Sequence, residues 1–132
     1  MATKKKKTYK QLKHLADKLF SFYIRQRGID DFGNNYCITC GVQKPWKELQ
    51  NGHYVTRNCM ALRYDEQNCH PQCMGCNVFQ KGRLDIYAIR LMELYGDKIL
   101  NDLNSRRKSK KIAYAELEEI IEKYKEYRVV DK

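Results

Sequence analysis

At 132 residues the chain suits one domain, burying roughly two-thirds of its extended-chain surface. No stretch approaches the roughly 20 apolar residues that span a bilayer. The 26 Lys and Arg exceed the 16 Asp and Glu to give a formal charge of +10.

The excess is uneven: residues 1–28 carry nine basic and one acidic side chain, residues 29–81 five of each, and residues 82–132 twelve and ten. A positive N-terminal field suits a phosphate backbone, with an anionic membrane surface as the rival and a solvated tail as the plain alternative. Lys10, Lys13, Asp17 and Lys18 interrupt any apolar signal segment, so a cytosolic, reducing compartment is expected. There the six cysteines read as metal ligands and free thiols rather than as three disulfides.

In chain order, a basic tail (residues 1–7) precedes one domain (8–132). Its N-terminal helix (8–28) carries Leu12, Leu15, Ala16, Leu19, Phe22 and Tyr23 at helical spacing, with Gly28 as the stop. Lys10, Lys13, Lys18 and Arg25 lie on the other face, and with Arg27 they are candidate DNA contacts. Asp30–Asn35 reads as a turn. From Cys37 the helical period gives way to short pieces, with Gly52–Val55 and Ala61–Tyr64 as expected strands. C-terminal helices (83–128) follow. Leu84, Tyr87, Ala88, Leu91, Leu94 and Tyr95 line the first, which Gly96 ends, and Asp97 is the expected cap of a short helix ending near Leu103. A basic link with Arg106 and Arg107 then leads to a helix lined by Leu117, Ile120, Ile121 and Tyr124; this link either touches phosphate or is merely solvated.

The pairs Cys37–Cys40 and Cys73–Cys76 frame a loop of 32 residues. Two C-x-x-C knuckles supply four thiolates for tetrahedral Zn²⁺, and a four-thiolate site is closed to water, so this ion is expected to hold shape rather than catalyse. Its binding can contribute about 10–16 kcal/mol of apparent folding free energy. Cys69 could replace one ligand, but with Cys59 it reads as a free thiol. Inside the loop stand His53 and Asn68, and Asn77 directly follows the second knuckle. A His held beside a phosphate can activate water.

This spacing resembles the HNH, or ββα-metal, nuclease finger in which the last His is replaced by Asn. The strings Cys37-Ile38-Thr39-Cys40-Gly41, Gly52-His53-Tyr54, Leu62-Arg63-Tyr64-Asp65-Glu66, Asn68-Cys69-His70-Pro71-Gln72-Cys73 and Cys76-Asn77 are similar to the bacteriophage NinG/Rap recombination family. The resemblance implies an α+β fold, a zinc-stapled, treble-clef-type ββα-metal finger (37–81) flanked by helices. It implies a metal-dependent endonuclease that cuts branched double-stranded DNA, such as Holliday junctions and D-loops, in the host cytoplasm. His53 would be the general base, Asn68 the brace of its loop and Asn77 a ligand of a catalytic Mg²⁺ or Mn²⁺. Gly52 departs from the many fingers that carry Asp or His before the base, so His70 or Asp65 could assist. Arg57 and Arg63 could meet phosphate, or form surface salt bridges. Paired nicks would suit a homodimer, with no membrane partner. The competing readings are a non-catalytic zinc module that binds nucleic acid and an adaptor that uses the basic helix; metal-dependent cleavage separates them.

Overall fold

The computed structural model describes residues 5–127. Part of the expected tail, residues 1–4, lies outside the described residues; residues 5–7 have no regular secondary structure.

Helix α1 (Tyr9–Gln26) starts where Thr8 and Gln11 form a reciprocal capping box, the Thr8 hydroxyl accepting from Gln11 N and Gln11 Oε1 from Thr8 N. The chain leaves it through Arg27, and Gly28 takes a left-handed conformation. The buried stripe of α1 is Leu12, Ala16, Leu19, Phe20 and Ile24. It is rotated from the expected one, because Phe20 is enclosed by Tyr64 and Tyr124 at ring separations of 5.7 and 5.1 Å while Phe22 turns outward against Trp46.

The first knuckle is carried by a small antiparallel pair, β1 (Asn34–Tyr36) and β2 (Gln43–Pro45). The expected turn at Asp30–Asn35 therefore ends as strand. A second pair, β3 (Gln50–His53) and β4 (Cys69–Gln72), sets Gly52 opposite His70 and His53 opposite Cys69. The expected strand at Ala61–Tyr64 does not form: Met60–Leu62 is a 3₁₀ turn whose Leu62 plugs the core. The long loop between β3 and β4 thus returns to His53 through turns.

After Cys73, Gly75–Phe79 forms a π-helical turn, and helix α2 (Leu84–Tyr95) begins only after Lys81 and Arg83 have taken left-handed conformations. Tyr87 and Leu91 are its buried residues, whereas Leu84 and Leu94 are exposed. Helix α3 (Ile99–Arg106) runs past Leu103, and Lys98 rather than Asp97 occupies its cap position. Helix α4 (Tyr114–Tyr124) packs against α1, burying Leu117 with Leu12, Ala16 and Ile112. Among the described residues, no helix is long and apolar enough to cross a membrane.

Candidate metal centre and polar cleft

Both knuckles fold onto one point. The sulfurs of Cys37, Cys40, Cys73 and Cys76 lie within 4.8 Å of one another, and Cys40 Sγ and Cys73 Sγ are 3.7 Å apart. A tetrahedral ion with Zn–S near 2.3 Å needs sulfur–sulfur edges of about 3.8 Å. Burial pushes the Cys37 thiol up, but N–H groups of Cys40, Cys73 and Thr39 and the Thr39 hydroxyl outweigh it and bring it down to about 6. Amides aimed at the Cys37 sulfur favour the thiolate that a metal needs, while burial and the neighbouring thiols push Cys40 up to about 12 and burial pushes Cys73 up, so a metal must displace protons from these two. Chemistry and spacing both fit, so the cluster could hold a zinc ion.

Beside this cluster, a cleft of about 580 Å³ is lined by Asp17, Asn51, His53, Arg57, Arg63, Asn77 and Lys81, among others. His53 ends β3 and is partly buried; its Nε2 lies 3.0 Å from the Arg63 carbonyl. A carbonyl can only accept, so neutral His53 carries its proton on Nε2 and keeps the lone pair on Nδ1. Burial holds its pKa below the ordinary histidine range, with the Arg63 and Arg57 charges adding to the effect and the Arg63 carbonyl and Asp17 partly offsetting it. The ring is therefore neutral at pH 7.

Asn68 is fully buried and clasps the loop after His53. Its Oδ1 accepts from Val55 N at 2.8 Å, while Nδ2 donates to the carbonyls of Val55 and Leu62 at 2.9 and 3.2 Å. Asn77 donates Nδ2 to Gln50 Oε1 at 2.8 Å, which leaves its amide oxygen available as an acceptor. Asn51 also lines the cleft; its Oδ1, like Gln72 Oε1, is buried without a hydrogen-bond partner. Such an orphan acceptor calls for an explanation, and hard cations take amide oxygens. The cleft offers a hard cation the amide oxygen of Asn77, while its carboxylate, Asp17, is held by Arg63.

Gly52 has a cross-strand cause. A Cβ there would fall 2.0 Å from Gln72 Oε1, so no side-chain ligand can stand before His53 while Gln72 keeps its place. Gln72 is held by bonds from its Nε2 to the Thr39 hydroxyl and the Gly82 carbonyl.

The remaining sequence candidates divide. Arg57 is exposed on the cleft. Arg63 is buried and tied to Asp17 through two bonds, at 2.8 and 2.5 Å, and to the Arg57 carbonyl. Burial opposes the Asp17 charge, but bonds from Arg63 and Tyr64 outweigh it and hold the carboxyl below its usual range. His70 and Asp65 are not brought to the cleft. His70 is buried between the Tyr87 and Tyr95 hydroxyls, at 3.2 and 2.8 Å, and Asp65 pairs with Arg106 at 2.9 Å.

Arg27 donates to the carbonyls of Glu66 and Cys69, and Arg25 to that of Leu49 while lying over Trp46, so with Arg106 these cations brace the fold. Lys10, Lys18 and Arg107 are exposed and Lys13 is half-buried. Asp17, Asn51 and Lys81 are cleft residues the spacing argument missed. Asp17 carried one signal, as the lone acid among the N-terminal cations.

Together these features define a mixed helix-and-sheet protein built on a four-cysteine cluster that could hold zinc, with a polar cleft beside it. The family model described as the bacteriophage lambda NinG protein matches residues 1–132. The chain belongs to the NinG family. It is similar to "Protein ninG" of Escherichia phage 933W, with 30% identity over 84% of this chain and 53% of that one. It is also similar to the proteins of that name from Salmonella phage P22, at 33% over 70% of this chain and 44% of that one, and Escherichia phage lambda, at 31% over 68% and 42%. It thus spans about half the length of the curated relatives it matches. No solved structure matches it.

Proposed function

We propose that the protein is a metal-dependent endonuclease that cuts branched DNA, Holliday junctions and D-loops being the substrates the family resemblance suggests. One observation carries this reading: His53, with its proton fixed on Nε2 and a free Nδ1, shares a cleft with Asn77.

Water positioned at His53 Nδ1 attacks phosphorus, so that a P–O bond forms as the bond to the 3′ oxygen breaks and the water proton passes to Nδ1. The leaving 3′ oxygen takes a proton from solvent, giving 5′-phosphate and 3′-hydroxyl ends. The Nε2–Arg63 carbonyl bond stabilises the imidazolium and fixes the ring. Asn68 holds the loop that carries that carbonyl, and Arg57 and Lys81 neutralise neighbouring phosphates. A bound Mg²⁺ or Mn²⁺, held by Asn77 with water and phosphate oxygens, would stabilise the charge on the phosphorane and the leaving oxygen. Zinc at the four cysteines would hold the knuckles and take no part in the step. Paired nicks would call for two copies on one junction.

Gly52 favours a second reading, a non-catalytic zinc module that binds nucleic acid, because the hairpin supplies no side-chain ligand before His53. The test is incubation of zinc-loaded protein with a labelled four-way junction, with and without added Mg²⁺ or Mn²⁺. Metal-dependent nicks near the branch support cleavage. A junction that is bound and stays intact with either metal supports the second reading. Omitting the metal is a better control than strong chelation, which would also strip zinc.

A further inference from the structure

The π-helical turn that carries Asn77 exposes apolar side chains on both sides of it. Phe79 is 74% exposed, Val78 53% and Met74 52%, and no described residue covers them. The turn is held rigidly. Gln80 N donates to the Gly75 carbonyl at 2.9 Å and Gly82 N to the Cys76 carbonyl at 2.8 Å, while Gln72 grips the Gly82 carbonyl from below at 2.9 Å. Lys81 and Arg83 sit at φ 51° and 46°, a conformation uncommon for side chains of this kind that persists only where the surroundings fix it. The turn is thus tied to a cysteine of the four-cysteine cluster, Arg83 turns its guanidinium toward the Cys76 sulfur at 3.8 Å, and Lys81 stands exposed on the rim of the cleft.

We propose that Phe79, backed by Val78, is a wedge that stacks on a base exposed at a DNA branch point while Lys81 meets the adjoining phosphate. This rests on the DNA-cleavage reading of the neighbouring cleft. An intact duplex hides its base faces, whereas a branch point presents them to an inserted apolar side chain. An exposed aromatic with the exposed Lys81 two positions on matches a nucleotide, which offers a flat apolar face and an anion together, better than it matches an apolar protein surface. The wedge would give selectivity for branched over linear DNA without any reading of sequence.

The test is the affinity of the full chain for a four-way junction and for a linear duplex of equal length, without added Mg²⁺ or Mn²⁺. Wild type is compared with Phe79→Ala and Phe79→Trp, with zinc content and circular dichroism as controls for folding. Phe79→Ala should lose about tenfold in junction affinity, as expected for one stacked base, with less than twofold change on duplex, and Phe79→Trp should restore binding. Equal losses on both DNAs, or none on either, would overturn the wedge. The assay needs no cutting. A selective loss in a protein that never cleaves would keep the wedge and sink the nuclease, while cleavage by a protein whose Phe79→Ala variant binds both DNAs normally would overturn the wedge alone.

Discussion

Gly52 is a residue whose lack of a side chain is set by its cross-strand neighbour. A Cβ would meet Gln72 Oε1 at 2.0 Å, and moving Gln72 would break its bonds to Thr39 and Gly82. Gly52→Ala should therefore cost about 1–3 kcal/mol in urea unfolding, and adding Gln72→Ala should recover part of it. An unchanged midpoint for Gly52→Ala would show that Gln72 does not fix this position. His70 gives a pH dependence. Burial, reinforced by the Arg27 charge, brings its pKa down to about 3, against 6.5 when unfolded, and its ring faces the Tyr87 and Tyr95 hydroxyls. Between those values the unfolded chain binds a proton that the folded one refuses, so stability is lost as pH falls through that window. From pH 6.5 to 5 this amounts to about 2 kcal/mol. Zinc loss on acidification affects every variant, so the measurement is the difference between wild type and His70→Gln. The variant should be flatter, and equal slopes would contradict the assignment.

Among the elements, the helices were legible in the sequence because helical spacing survives partial exposure; the rotation of α1, whose apolar face is wide enough to admit either stripe, the exposure of Leu84 and Leu94 on α2 and the bounds of α3 were not. Strand β4 was not legible. Cys69-His70-Pro71-Gln72 has no alternation of apolar and polar residues, being buried throughout, and its Pro71 is tolerated because β4 has a single ladder partner. The centre of the site was legible through the cysteine spacing, which brings His53 and Asn77 to one cleft. Its rim was not: Asp17 reaches Arg63 across 46 positions, a pairing no local pattern carries. If the two knuckles depend on a common ion, Cys37→Ser should abolish stoichiometric zinc and loosen both hairpins. Elemental analysis with amide exchange reads this out, and full protection in zinc-free protein would contradict it.

For the whole molecule, net charge is a poor guide to which cations are free to meet a phosphate. Arg25, Arg27, Arg63 and Arg106 are spent on carbonyls and carboxylates of the fold, while Lys10, Lys18, Arg57, Lys81 and Arg107 are exposed. Neutralising Lys10, Lys13 and Lys18 should reduce the salt slope of duplex binding by roughly 0.9 per lost phosphate contact. Arg27→Ala should instead lower stability, because two carbonyls lose their donor. A salt slope unchanged by the three lysine changes would move the binding surface to another face. The central claim is that His53 is the base of a metal-dependent cut, and its most direct measurement is single-turnover cleavage of a four-way junction by His53→Ala protein. The account predicts unchanged zinc content and junction affinity with a rate at least ~10²-fold lower, the usual loss for a general base. Cleavage at the parental rate would contradict it.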